Sequence, residues 1–319
     1  MARKRFAIFT LADDFHALVI QKALEDNYDV SCGVVGVDRI CGNDALTWSN
    51  FNGFGPTFST ADGERIDVRN LDLIWWRRAH VLQNIPDDVT DPASIDVINN
   101  DCRFAMLGML LNDFKGVWIS DPQATRHAQN KLVQLRIAER IGFRTPRTLV
   151  SQNELAIQEF CSLLDNRVVV KVVRGAKSAP LLTTMIDPSA LQEVDSIRLC
   201  PTMYQEFIPG TRHVRACCFG TTAYAALLES KDVDWRDNLD IPVSVFELPE
   251  PLKARLQAAL KALGIKMGIF DLKFDEIGEP VWLEVNPQGQ FLFLEGLCGL
   301  PLTAAFTEYL YQEAAGAIR

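Results

Sequence analysis

Hydrophobic and polar positions alternate along this chain with two periods, and the switches between them mark its elements. FAIFTL (6–11) is a compact apolar run, HALVIQKALED (16–26) repeats its apolar positions at helical spacing, and VSCGVVGV (30–37) returns to a β-like run. Strand, helix and strand in that order predict an α/β opening unit. Residues 41–67, rich in Gly, Asn, Asp and Phe, read as irregular loop or hairpin. LDLIWWRR (71–78) reads as a strand. IDVINNDCRFAMLGMLLND (95–113) reads as a helix with its apolar stripe at Met106, Leu107, Leu110 and Leu111, and VWISD (117–121) closes the unit as a strand.

A second unit begins near Pro122. Residues 124–141 read as one helix stopped by Gly142. RTLVS is a short strand, Ser151 with Glu154 reads as a capping box opening ELAIQEFCSLL, and RVVVKVV (167–173) is a β-branched strand followed by the loop RGAKSAP. A third unit from about Tyr204 runs MYQEFI, HVRACCFG, TAYAALLES, the helix LKARLQAALKALG, and the strand pair GIFDLKF and VWLEVNP. The expected class is α/β (α+β), divided as 1–121, 122–203 and 204–319.

The last strand pair carries the most chemistry. With the turn centred on Ile277 and Gly278, Asp271 faces Glu284 directly. Phe270, Leu272, Phe274, Val281, Leu283 and Val285 then share one face. Asp271, Lys273, Trp282, Glu284 and Asn286 share the other. Two carboxylates directly opposite destabilise a sheet by about 0.2–1 kcal/mol. A hard divalent cation offsets that repulsion, so Asp271, Glu284 and Asn286 form a candidate magnesium site. The same pattern also reads as a solvated face on which Lys273 neutralises both acids.

Lys171 interrupts an apolar strand, where a lone ammonium is unfavourable without an anionic partner. A phosphate clamp and a strand-edge lysine reaching solvent are its two readings. Lys131 reads locally as a plain surface lysine. YQEFIPG (204–210) is an extended connector whose backbone could pair with an adenine edge, with Glu206 available to a ribose or amine. Arg215 sits in an apolar strand and Arg236 in the loop DVDWR. Each is suited to hold phosphate or carboxylate, or to make a structural ion pair. Arg77 and Arg78 read either as a solvated strand end or as a contact for an acidic substrate segment.

Composition narrows the classes. The chain has 319 residues, 48% hydrophobic, which is globular rather than disordered. A net charge of −9 argues against a general nucleic-acid binder. No apolar run reaches membrane-spanning length. The basic and apolar start is broken by Asp13, Asp14 and His16, so no signal peptide is expected. The eight cysteines have no metal-site spacing, and reduced thiols in a cytoplasmic protein are expected.

In chain order, Lys131, Lys171, YQEFI, the arginine strand, and Asp271 with Glu284-x-Asn286 resemble an ATP-grasp ligase. TLADDFHALVIQKAL, IWWRR, NKLVQLRIAERIGFRTPRTLVS, DVDWR and EVNPQGQFLFLE are similar to the ATP-grasp maturases of ribosomal peptides, the graspetide (microviridin-type) macrocyclases among them. The resemblance covers the whole chain and implies an ATP-grasp fold, with 1–121 as a pre-ATP-grasp domain. It implies that Lys131 and Lys171 bind ATP phosphates, that Gln205, Glu206, Ile208 and His213 line the nucleotide, and that Arg215 and Arg236 hold the γ-phosphate or acyl phosphate. Asp271, Glu284 and Asn286 would ligate two Mg2+ ions. His213 stands where many relatives carry an acid, and RGAKSAP lacks the paired glycines of the usual lid loop. The implied partner is a precursor peptide, with a homodimer left open and neither nucleic acid nor membrane involved. Alternatives are a ligase adding an amino acid to a small molecule or protein tail, and a nucleotide-binding protein without turnover.

Overall fold

The computed structural model describes residues 3–42, 44–51, 55–79, 81–174, 181–187 and 194–316. The chain divides into two compact units, Met1–Pro122 with Pro301–Arg319, and Gln123–Leu300.

In the first unit, β1 (Lys4–Thr10), α1 (Phe15–Asn27) and β2 (Val30–Gly36) form the expected opening. The 41–67 region contains three short antiparallel strands, β3 (Leu46–Thr47), β4 (Thr57–Ser59) and β5 (Arg65–Asp67). Then come β6 (Leu73–Trp76), the helix α2 (Pro92–Asp113) and β7 (Val117–Ile119). The main sheet is parallel, in the order β2-β1-β6-β7. Its strands read as continuous apolar runs because a parallel sheet is covered on both faces. On α2, Met106, Met109 and Leu110 are buried while Leu111 is 43% exposed. The expected stripe was therefore displaced by part of a turn.

Arg77 is a correction to the sequence reading. It is fully buried at the end of β6, its Nε 2.7 Å from Asp14 Oδ2 and its guanidinium 5.1 Å from the Trp75 ring centroid. Asp14 also caps α1 and accepts from Thr10 Oγ1 at 2.6 Å. Arg77 therefore ties α1 to the sheet and is no surface contact for substrate, whereas Arg78 beside it is exposed. Removing one partner of such a pair leaves a buried uncompensated charge. Asp14→Asn should lower unfolding stability by about 3–5 kcal/mol, read from denaturant midpoints, and a change under 1 kcal/mol would contradict the buried-pair account.

The second unit opens with α3 (Pro122–Ala128) and α4 (Lys131–Ile141). These are two helices rather than the single one expected from 124–141. Asn130 breaks them, because its side chain accepts from Leu132 and Val133 N–H groups and so starts a new helix. Next are β8 (Thr148–Ser151), α5 (Glu154–Ser162), β9 (Val168–Lys171), β10 (Thr184–Met185), α6 (Val194–Leu199) and β11 (Thr202–Glu206). The cap of α5 is Asn153, bonded to Ala156 N at 3.1 Å, and not Ser151, whose hydroxyl accepts from Asn153 N instead. Strands β10-β9-β11-β8 form one antiparallel sheet.

The other sheet of this unit is built from β12 (Arg212–Phe219), β13 (Thr222–Glu229), β14 (Val243–Val245), β15 (Met267–Phe274) and β16 (Pro280–Asn286), with α7 (Glu250–Leu263) against it. It is antiparallel, in the order β14-β13-β12-β15-β16. A core of Val214, Ala216, Phe270, Leu272, Trp282 and Val285 joins it to α4 and α7. After α8 (Leu292–Cys298), the last helix α9 (Leu302–Gly316) belongs to the first unit. It packs on α1, with Tyr311 stacked on Tyr28 at 4.7 Å and Phe306 against Trp75 at 4.8 Å. The expected grouping of 204–319 places α9 with β15 and β16 instead. Among the described residues no helix is long and apolar enough to cross a membrane.

Candidate active site

The site grows from the β15–β16 pair. Asp271 and Glu284 are direct cross-strand partners, as the hydrophobic pattern predicts, and Ile269 and Phe270 pair with Asn286 and Val285 in the same register. Beyond them the register shifts, so that Leu272 pairs with Trp282 and Lys273 with Val281. The expected face assignment fails there. Trp282 is fully buried in the core with Phe270 and Leu272, while Leu283 is only partly buried. A bulge explains both: one extra residue lets Trp282 and Val285 point to the same side. It also separates the carboxylate from the indole that alternation had placed beside it.

Arg215 on β12 pairs with Asp271, so Arg215, Asp271 and Glu284 form a row across three strands. Arg215 Nη1 donates to both Asp271 oxygens at 2.7 and 2.8 Å, and Nη2 to the Gln290 carbonyl at 2.8 Å. Its guanidinium carbon lies 5.7 Å from the ring centroids of both Trp235 and Phe293, and its Nε is buried without a partner. The segment after Asn286 thus supplies Phe293 and the Gln290 carbonyl, and the loop after β13 supplies Trp235, to aim Arg215. Gly289 is required there, since a Cβ would lie 2.7 Å from the Ile269 side chain. Asn286 Oδ1 accepts from Gln288 N at 3.0 Å.

Lys131 is not a plain surface lysine. It begins α4, with its Nζ 3.2 Å from Glu284 and 3.3 Å from the Val172 carbonyl. Gln134 fixes that approach. Its amide donates to the Ala128 and Val285 carbonyls, and its oxygen accepts from Val285 N, so one buried side chain pins α4 to β16. A lone Gln inside an amphipathic helix carries no sequence signal for such a role. Lys171, at the end of β9, is partly buried and has no ion-paired carboxylate among the described residues. Burial pushes its pKa down and the Glu284 charge pulls it back. Residues 175–180 of the RGAKSAP loop lie outside the described residues.

Arg236 pairs with Asp234 at 2.5 Å, and Asp234 also accepts from Thr183 N. Burial works against the Asp234 carboxylate, but the Arg236 hydrogen bond and the Thr183 amide outweigh it and hold its pKa low. The Asp234 hydrogen bond raises Arg236, and the charges of Glu284 and Asp271 add to it. Within the row, burial drives both carboxylates up. Lys131 and Lys171 reverse this for Glu284, whereas Asp271 stays high despite Arg215, because Glu284 repels its charge.

Glu206 pairs with Arg144 at 3.5 Å and Arg147 at 3.2 Å, and Gln205 donates to Thr148 Oγ1 at 3.0 Å. Ile208 is buried. Gly210 ends the connector at φ +110°, where a Cβ would meet the Phe274 carbonyl at 2.6 Å.

His213 is buried on β12 with its Nε2 unpartnered, and its pKa is pushed down to about 4 by burial and by the Lys273 charge. Below about pH 6.5 the unfolded chain takes up a proton that the folded site refuses. Stability should therefore fall as pH drops from about 6.5 towards 4, by on the order of 3 kcal/mol from this residue. Unfolding of wild type and His213→Gln between pH 7 and pH 4.5 tests it, and equal pH slopes would refute the assignment.

No family model matches the chain. It is 27% identical over 219 residues to a probable alpha-L-glutamate ligase of Xanthomonas euvesicatoria pv. vesicatoria (strain 85-10), covering 66% of this chain and 74% of that protein. Among solved structures, the macrocyclase MdnB from Microcystis aeruginosa MRC is 26% identical with a TM-score of 0.80, over 96% of this chain and 99% of that one. The macrocyclase MdnC of the same organism, bound with precursor peptide MdnA, has a TM-score of 0.86 at 22% identity, covering 96% and 99%. A Chryseobacterium gregarium RiPP-associated ATP-grasp ligase, in complex with ADP and a leader and core peptide, has a TM-score of 0.83 at 21% identity, covering 99% and 98%. The fold is ATP-grasp.

Proposed function

We propose that this ATP-grasp ligase forms side-chain ester or amide crosslinks in a ribosomally made precursor peptide, by way of an acyl phosphate. The observation that carries the reading is the row Arg215–Asp271–Glu284, flanked by Lys131, Lys171 and Arg236. It is a set of hard oxygen donors bordered by cations, which suits a magnesium–nucleotide complex. Among the described residues no three His, Cys, Asp or Glu side chains cluster as a metal cage. Asp271, Glu284 and Asn286 would hold magnesium, with two ions expected, jointly with phosphate oxygens. A metal held there would supply positive charge against the phosphates during transfer.

The chain's own residues do the positioning. Lys131 and Lys171 hold the phosphates. Arg215 and Arg236, oriented by Asp271 and Asp234, hold the transferred phosphoryl group and then the acyl phosphate. Gln205, Glu206, Ile208 and His213 border the base and ribose. A substrate carboxylate oxygen bonds to the γ-phosphorus and ADP leaves. A hydroxyl or amine of the same peptide then bonds to the acyl carbon, inorganic phosphate leaves, and the nucleophile releases its proton. Holding both groups in one peptide makes the second step intramolecular, with effective molarities on the order of 10⁵ M or more. The whole-chain likeness to the macrocyclase MdnB favours ring closure over simple addition, and a cytoplasmic, soluble enzyme with homodimerisation open goes with this reading.

The match to probable alpha-L-glutamate ligases favours a second reading, amino-acid addition. Mass spectrometry of a peptide encoded beside this protein, incubated with enzyme, ATP and magnesium, separates the two. Loss of one water per ADP released, resistant to thiol reagents, is expected. A mass gain of one amino acid would instead establish the tailing ligase.

A further inference from the structure

Lys273 takes no part in the acid row or its flanking cations. It lies on β15 two residues beyond Asp271, on the same face, and is only 4% exposed. Its cross-strand partners are His213 on one side and Val281 on the other, and both are buried. Among the described residues no carboxylate pairs with it. Its ammonium sits 5.2 Å from the ring centroid of Phe207, in the connector between Glu206 and Ile208. Beside it, His213 Nε2 is buried without a partner, and Lys171 adds a second positive charge.

A buried ammonium with no acid, next to an orphaned ring nitrogen and another lysine, is unfavourable in the empty protein. A ring face offsets only part of that. Apolar residues would fill the same volume at lower cost, so the arrangement makes sense where a ligand supplies acceptors. The position says which part of the ligand. Arg215 and Asp271, the phosphate end, lie one step along the strand pair, while Phe207 and Gly210 of the connector lie at the Lys273 end.

We infer that Lys273 contacts the nucleotide directly, its ammonium donating to a base ring nitrogen or a ribose oxygen. This rests on the ATP-grasp ligase reading. It assigns the base–ribose end of the site a cation that the sequence pattern had placed as a counter-charge for Asp271 and Glu284.

Calorimetry on the full chain tests it with four probes: ATP, AMP, adenosine and tripolyphosphate, all with magnesium. For Lys273→Met, ATP, AMP and adenosine should each weaken by about tenfold, the scale of one hydrogen bond to a charged donor, with tripolyphosphate unchanged. Thermal stability without nucleotide should not fall. Lys273→Gln, which keeps a neutral donor, should lose less affinity and guards against a folding defect in the first variant. Weakened tripolyphosphate with unchanged adenosine would move the contact to the phosphates and overturn the inference. Unchanged affinity for all four probes would make Lys273 structural and also overturn it. Failure of the wild-type protein to bind ATP would instead sink the ligase reading itself.

Discussion

Glu284→Gln is expected to abolish turnover while the protein stays folded. The substitution keeps the shape of the side chain on β16 and removes one charge from the end of the row that faces Lys131. Its carboxylate is 31% exposed and paired with Lys131, so losing the charge should alter stability little. In the proposed mechanism the reaction depends on that charge in a different way. Lys131 and Lys171 are both set against Glu284, and magnesium held with phosphate oxygens needs its anionic donors. Losing one preorganised electrostatic contact typically lowers kcat by about 10²–10³-fold, and loss of a metal donor should reach at least that. ADP release with peptide present measures the effect, and circular dichroism with a denaturant midpoint checks the fold. Wild-type activity in this variant would sink the metal role.

Lys171→Met should fold at least as stably as wild type without nucleotide and bind ATP more weakly. Lys171 has no ion-paired carboxylate among the described residues, and burial already works against its charge. Replacing an unpaired, desolvated ammonium by an apolar side chain of similar length removes that penalty. In the ATP complex the ammonium would gain a phosphate. One charge-assisted hydrogen bond of about 1.5–3 kcal/mol corresponds to roughly 10–100-fold in affinity. Calorimetry at fixed ionic strength reads this directly. Unchanged ATP affinity would refute the clamp and leave Lys171 as a strand-edge lysine. The two variants fail differently: Glu284→Gln should keep a measurable part of its nucleotide binding and lose the chemistry, whereas Lys171→Met loses the nucleotide first.

The sequence by itself determined the strands, most of the helices and the pairing at the heart of the site. Alternation in GIFDLKF and VWLEVNP was enough to set Asp271 opposite Glu284, because a one-residue slip would have put apolar side chains on both faces. Apolar periodicity likewise located β1, α1, β6 and α7, since burial dictates it locally. The rest depended on contacts between residues far apart in the chain. The bulge after Asp271 moved Trp282 into the core, a choice made by the volume available between α4 and the sheet. Arg77 looked like a surface arginine until Asp14, 63 residues away, closed a buried pair with it. Lys131 looked like any helix lysine until Gln134 pinned α4 against β16 and brought its amine to Glu284. Helix α9 joined the first unit because its aromatic face fits Tyr28 and Trp75. Period and propensity are properties of neighbours along the chain. Charge compensation and packing volume are properties of neighbours in space, and only the tertiary structure decides those.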